Sequence, residues 1–284
     1  MFLKRIKTGL IAVFFITMLL LTGCGGAEES PHQTEGQAGT EDLSGSIQIA
    51  GSTSVQPIAE ELATAFMAKN PHVKIDVQGG GSSAGVKAVT DGVADIGMAS
   101  RELKDEEKDF VQATVIAQDG IAVVVNVGNE VPQLTMDQVK GIFAGEISSW
   151  DQVGGISAPI VVINREEGSG TRGAFEELVL GEDTSFTESA AIQNSTGAVR
   201  TAVSSDVNAI GYISMGAMDD SVKALPVDGV EAIEENVLAG TYKIARPFNF
   251  LTKGAPTDLA KDFMDWILSS EGQEIVAESF IPVQ

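Results

Sequence analysis

The sequence predicts an α/β protein, and three observations carry that prediction. From Ser46 to the end of the chain, short apolar runs of strand character alternate with segments whose apolar residues recur at helical spacing. Loops of glycine, serine and threonine recur where a strand gives way to a helix. The 284 residues are 43% hydrophobic, 20% charged and 6% aromatic, which suits one large or two medium domains and is too little apolar content for a multispan membrane protein.

Each element has its own justification. Ile47-Gln48-Ile49-Ala50 is a short strand leading into Gly51-Ser52-Thr53-Ser54. Pro57 then sits in the first turn of a helix carrying Ile58, Leu62 and Phe66 at four-residue spacing, and Asn70-Pro71 stops it. Val73, Ile75 and Val77 alternate as a second strand, which runs into Gly79-Gly80-Gly81-Ser82-Ser83 and a helix with Val86 and Val89. Asp91-Gly92 ends that helix, and Ala94-Asp95-Ile96-Gly97-Met98 makes a third strand ending at Ala99-Ser100-Arg101. Residues 121–127 read as a buried strand, 134–143 as a helix and 160–163 as another short buried strand. That strand leads through Asn164-Arg165-Glu166-Glu167-Gly168-Ser169-Gly170-Thr171-Arg172 into a helix reaching Leu180. Residues 198–203 suggest a helix and 209–214 a strand, and Leu259, Phe263 and Ile267 mark the apolar face of a C-terminal helix.

The N-terminus reads as an address. Lys4, Arg5 and Lys7 precede an apolar run over 10–21, broken only by Thr17 and well short of the ~20 residues of a permanent span. The run ends in Leu21-Thr22-Gly23-Cys24, and Cys24 is the single cysteine. This resembles the bacterial lipobox, in which the cysteine is lipidated and becomes the first residue of the mature protein. The alternative is an ordinary secretory signal with a chance cysteine. On the lipobox reading, residues 1–23 are a lipoprotein signal peptide, and their loss removes three positive charges and moves the net charge from −22 to −25. Residues 24–45, with His32 among them, are polar and read as a flexible tether.

Forty acidic against 18 basic residues give a field that opposes nucleic acid and anionic lipid. One cysteine excludes an internal disulfide, and His32 and His72 are the only histidines, too few for a His/Cys metal cluster. No cofactor is expected.

Three loops share one chemistry. Gly51-Ser52-Thr53-Ser54, Gly79-Gly80-Gly81-Ser82-Ser83 and Gly168-Ser169-Gly170-Thr171 each combine glycine with hydroxyls at an expected helix start. The first helical turn exposes unpaired N–H groups and a partial positive charge, so such loops are the parts of an oxyanion site. For any one of them helix capping, the commonest fate of such residues, is the favoured reading; three together favour a shared ligand. Arg165 follows a buried strand four residues before Ser169, and its planar fork suits a tetrahedral oxyanion. A surface ion pair with Glu166 or Glu167 is the other reading of Arg165.

Rival motifs fail on detail. Gly81-Ser82-Ser83-Ala84-Gly85 fits the G-x-S-x-G nucleophile elbow, but both histidines precede Ser83, so the Ser…acid…His order cannot be built. Lys87 comes one residue late for a phosphate-binding loop of the Gly-Lys-Ser/Thr type. Gly79, Gly81 and Ala84 match a dinucleotide fingerprint only on the second strand, with Arg101 near where an acid belongs.

From Ile47 to the C-terminus the chain resembles the phosphate-binding lipoproteins of the phosphate-specific ABC transporter, the PstS family, in its shorter form. The segments that carry the resemblance are Ile49-Ala50-Gly51-Ser52-Thr53-Ser54-Val55-Gln56-Pro57, Gly80-Gly81-Ser82-Ser83-Ala84-Gly85-Val86, Ala94-Asp95-Ile96-Gly97-Met98-Ala99-Ser100-Arg101 and Arg165-Glu166-Glu167-Gly168-Ser169-Gly170-Thr171. The resemblance implies a two-lobed, periplasmic-binding-protein-like (type II) α/β fold with a ligand cleft between lobes joined by two crossover strands. Lobe one would be 46–122 plus 249–284 and lobe two 123–248, with crossovers near 119–125 and 245–250. Carried over residue by residue, Thr53, Ser54 and Ser82 donate from lobe one, and Arg165, Ser169, Gly170 and Thr171 from lobe two. Longer members supply an aspartate from the third-strand segment to accept the phosphate proton. Here Ser100 stands at that place, or Arg101 with a one-residue shift, and Asp119, before Gly120 at the crossover, is the candidate replacement. A hinge-loop cap is the other reading of Asp119.

The function implied is a monomeric, lipid-anchored receptor on the outer face of the membrane. It would capture inorganic phosphate and release it to the membrane permease of an ABC importer, without catalysis or cofactor. A receptor for sulfate, molybdate or tungstate is the alternative within the class. An extracytoplasmic phosphoryl-transfer enzyme with a Ser or Thr nucleophile is the alternative outside it.

Overall fold

The computed structural model describes residues 43–283; the expected signal peptide, the lipidation site Cys24, the tether up to residue 42 and His32 lie outside the described residues. The elements in chain order are β1 (Ser44–Gly51), α1 (Gln56–Lys69), β2 (His72–Gly79), α2 (Ser82–Thr90), β3 (Ile96–Ala99), β4 (Gln112–Asn126), α3 (Met136–Ala144), β5 (Val161–Arg165), α4 (Gly170–Phe175), β6 (Ala191–Gln193), α5 (Thr196–Ser205), β7 (Ala209–Ser214), β8 (Val222–Ala224), α6 (Glu234–Leu238), β9 (Ala245–Thr252), α7 (Asp258–Ile267) and α8 (Ser270–Val276). The strands form one continuous curled sheet in the order β2-β1-β3-β9-β4-β7-β5-β6, with β8 on β4.

Two regions of that sheet carry separate cores. β1, β2 and β3 are parallel, and α1, α7 and α8 cover them through Ile47, Ile49, Leu62, Phe66, Phe263 and Ile267. β5, β6 and β7 are parallel, and α3, α4 and α5 pack there through Ile142, Phe143, Phe175, Val199 and Val203. The helices that directly follow a parallel strand, α1, α2, α4 and α5, start at its carboxyl end, where ligands bind in open α/β sheets. β4 and β9 are the crossovers: β4 pairs β9 antiparallel from Gln112 to Gly120, then pairs β7 from Ile121 to Val125. The first core runs from Ile47 to Ala117 and resumes at Phe248, whereas the second runs from Ile121 to Ile244.

The structure adjusts several boundaries. β1 opens at Ser44 and Leu43 packs on the first core, so the last residues assigned to the tether belong to the folded body. β4 starts nine residues ahead of the expected strand (112 against 121), because a bulge between Val115 and Ala117 breaks the two-residue alternation that marks a strand. It ends at Asn126, leaving Val127 exposed. The helix expected to reach Leu180 is α4 followed by one π-helical turn over Glu176–Leu180. The C-terminal helix is two helices, restarted at Ser269, whose hydroxyl accepts from the Gly272 N–H.

One close approach positions the start of α2. A Cβ built on Gly85 would lie 2.7 Å from the Met98 carbonyl oxygen and 2.9 Å from that of Ala50. Glycine therefore lets α2 rest directly on β1 and β3, which brings Ser82 beside Ser100. We predict that Gly85→Ala destabilises the fold: the helix-propensity gain of about 1 kcal/mol is outweighed by overpacking against backbone, about 1–3 kcal/mol, because the neighbours cannot rotate away. A chemical denaturation midpoint below that of the wild type is expected, and an equal or higher midpoint would contradict the packing argument.

Candidate anion-binding site

Four helix starts meet where the two cores face each other. After β1, Ser52 Oγ accepts from the Ser54 and Val55 N–H groups (3.2 and 3.4 Å) and donates to Ser100 Oγ at 2.8 Å. At the start of α2, Ser82 Oγ accepts from the Ser100 N–H at 3.1 Å and lies 3.5 Å from Ser100 Oγ. Across the junction, Ser169 Oγ caps α4 by accepting from the Arg172 N–H at 3.2 Å. The start of α4 touches the first lobe closely, since a Cβ on Gly170 would stand 2.1 Å from Ser82 Oγ and 2.8 Å from Ser100 Oγ. Ser54 Oγ closes the ring, 2.8 Å from Thr171 Oγ1 and 2.7 Å from Thr196 Oγ1 at the start of α5. The Ser83 N–H also donates to the Gly168 carbonyl at 3.1 Å. Ser52, Ser54, Ser82, Ser100, Ser169, Thr171 and Thr196 are all buried.

Arg165 is the cation of this ring. It ends β5 and is 2% exposed. Its Nε and one terminal nitrogen grip Glu166 at 2.8 Å each, the other terminal nitrogen donates to Thr196 Oγ1 at 3.2 Å, and a contact of 3.3 Å reaches Thr53 Oγ1 in the other lobe. The Glu166 ion pair foreseen as an alternative to a site role is present, but it is buried on the arginine side and lies inside the ring. The Arg165 N–H is fixed by Asn164 Oδ1 at 2.8 Å and by the Tyr212 hydroxyl at 3.4 Å. Tyr212 donates to Asn164 and stacks on Phe175 at 4.2 Å, so the aromatic core of the second lobe holds the arginine's backbone. Burial pushes the Tyr212 hydroxyl well above its ordinary pKa, which keeps it a neutral donor.

A second buried ion pair lies behind Ser100. Arg246 on β9 donates to Asp119 Oδ2 on β4 at 3.0 Å, the two being direct partners in the strand register, and also to the Ser100 carbonyl at 3.1 Å. Ser214 at the end of β7 donates to Asp119 Oδ1 at 2.8 Å. Burial pushes the Asp119 carboxyl up, while Arg246, Ser214 and the Gly216 N–H draw it back down. Burial likewise pulls Arg246 down and Asp119 opposes it.

Of the expected site residues, Thr53, Ser54, Ser82, Ser100, Arg165, Ser169, Gly170 and Thr171 come together in one cluster. Asp119 is one step removed, with both oxygens engaged by Ser214 and Arg246. Arg101 turns away: its guanidinium grips Glu107 with both terminal nitrogens, at 2.7 and 2.8 Å. Burial raises the Glu107 carboxyl, but Arg101 and the Lys104 N–H outweigh it and hold Glu107 below the usual carboxylate range. Thr196, Ser214 and Arg246 lie outside the three expected loops, and Ser52 lies in the first of them, where Thr53 and Ser54 are the expected donors. Thr196 repeats the signal of the other loops, a hydroxyl and a glycine in Ser195-Thr196-Gly197, but the three-residue β6 ahead of it offers no apolar run to mark the junction.

The fold and this junctional ring define a two-lobed solute-binding protein. Residues 36–271 match the family model described as the PBP superfamily domain. The chain is 34% identical to the phosphate-binding protein PstS of Bacillus subtilis, over 99% of this chain and 95% of that protein. Among solved structures, a protein from Clostridium perfringens, described as a phosphate ABC transporter substrate-binding protein with bound phosphate, is 47% identical with a TM-score of 0.82, covering 84% of this chain and all of that one. An ABC-type phosphate transport receptor from Vibrio cholerae is 36% identical with a TM-score of 0.70 over the same shares. The chain belongs to the PstS family of phosphate-binding proteins.

Proposed function

We propose that this protein captures inorganic phosphate at the ring between its lobes and hands it to the membrane permease of an ABC importer. The observation that carries the reading is the meeting of four helix starts, rich in hydroxyls, around one buried arginine. Neutral donors and helix dipoles stabilise an anion locally without drawing in nearby cations, and the arginine fork adds charge-assisted bonds. The relatives from B. subtilis, C. perfringens and V. cholerae, all described as phosphate binders or receptors, support phosphate as the anion. In this reading Thr53, Ser54, Ser82, Ser100, Arg165, Ser169, Gly170 and Thr171 hold the ligand. Arg101 and Asp119 do not touch it, because Glu107 in one case and Arg246 with Ser214 in the other already occupy them. All donors come from one chain, so a monomer suffices.

Arg165 gives the sharpest test. A hydrogen bond to a charged group contributes roughly 1.5–3 kcal/mol, so Arg165→Ala should weaken calorimetric phosphate binding at least about tenfold. Arg165→Lys should recover only part, because the fork is lost. Unchanged affinity in Arg165→Ala would place this residue outside the site. Running phosphate, arsenate, sulfate and molybdate on the wild type in the same format identifies the preferred oxyanion.

The reading includes attachment to the outer face of the membrane through a lipid on Cys24. It is supported by the basic start, the short apolar run and the position of the single cysteine. Cells fed labelled palmitate should mark the wild type and leave Cys24→Ala unmarked; label on the variant would refute the anchor.

A further inference from the structure

The ring as described leaves one buried cation unused. Arg246 is 3% exposed, and its Nε has no hydrogen-bond partner among the described residues. A buried guanidinium N–H without a partner is costly, and such groups call for an explanation. The guanidinium lies over the Phe248 ring, 5.3 Å from its centroid, and its two hydrogen bonds tie the ring of hydroxyls to the hinge. One terminal nitrogen holds the carbonyl of Ser100, whose own hydroxyl and N–H meet Ser52 and Ser82. The other holds Asp119, which in turn takes Ser214 from the second lobe.

The charges around the ring are few. Arg246 faces Asp119 from β4, Arg165 from β5 and Tyr212 from β7, and Tyr242 faces Asp119. Burial pushes both tyrosine hydroxyls well up, so they stay neutral near pH 7. Arg165 is paired with Glu166 and Arg246 with Asp119, while Arg172, whose guanidinium donates to the Arg165 carbonyl at 3.0 Å, adds a further positive charge beside them. Loss of one positive charge from this set would penalise a doubly charged anion about twice as much as a singly charged one, because the Coulomb term scales with the product of charges.

We propose that Arg246 is a positioning and specificity-determining residue of the anion ring: it fixes Ser100 through its carbonyl and supplies the second buried positive charge that admits the doubly charged form of phosphate, with Asp119 as its counter-ion. The inference rests on the reading of the ring as a phosphate site. It assigns Asp119 a task other than accepting the ligand's proton, and it explains why the two crossover strands carry an ion pair at the point where they face Ser100.

Phosphate gains its second charge over about pH 6–8, so calorimetric titration with inorganic phosphate at the two ends of that range separates charge from shape. Arg246→Gln keeps a donor for the Ser100 carbonyl but removes the charge. It should bind at least about tenfold more weakly at pH 8 and only about threefold more weakly at pH 6, so the ratio of the two affinities falls about threefold or more. Arg246→Lys should keep the wild-type ratio while losing affinity at both pH values. Should Arg246→Gln fail to fold with Asp119 left unpaired, Asp119→Asn/Arg246→Gln removes the pair as a unit. Its affinity ratio should lie between those of the wild type and the charge-deficient single variant, and below the wild type on its own. Equal losses at both pH values in the Gln variants would reduce Arg246 to a structural residue, and wild-type affinity would remove it from the site; either overturns the proposal. A wild-type protein that binds no phosphate would instead overturn the phosphate reading and leave the fold of the pair untouched.

Discussion

The rest of the structure depends on the contact between the start of α4 and the hydroxyls of Ser82 and Ser100. At Gly170 there is no room for a side chain, since a Cβ there would meet Ser82 Oγ and Ser100 Oγ first. Everything that positions this contact comes from elements of ordinary kind. Gly85 lets α2 settle on the first sheet and so places Ser82. The stacked Phe175 and Tyr212 hold the end of β5 and so place Arg165. The paired crossover strands β4 and β9 carry Asp119 and Arg246 to the back of Ser100. Polar atoms buried in this number must be satisfied, and in this ring the lobes satisfy one another.

The acidic surface and the anion ring belong to different length scales. A net charge of −22 repels an approaching anion, but solvent screens it over about 8–10 Å at physiological ionic strength. Arg165 and Arg246 are buried and each is answered by a carboxylate, so hydroxyls and helix starts share with them the work of holding an anion. Affinity built in this way is local, and the protein gains no long-range steering from it.

Much of this was legible in the sequence, and the parts that were not have physical reasons. Three of the four helix starts were visible because glycine and hydroxyls followed recognisable apolar strands. The fourth, at Thr196, followed a strand of three residues with Ile192 exposed, which leaves no periodicity to read. Gly81 and Gly85 imitate a nucleophile elbow, yet Gly85 is there for close packing on backbone. Ser100 and Arg101 were interchangeable in the sequence by a one-residue shift, and the structure separates them through Glu107, six residues further on. Asp119 could be placed at a crossover, but its partner is 127 residues away on another strand, and no local pattern links the two.

Hydrogen exchange with and without inorganic phosphate tests the central claim most directly. If the four helix starts hold the anion together, phosphate should slow exchange at once in the peptides that contain the first turns of α1, α2, α4 and α5, while the outer faces of α3 and α7 remain unchanged. Slowing confined to one lobe, or slowing away from these four turns, would contradict the account.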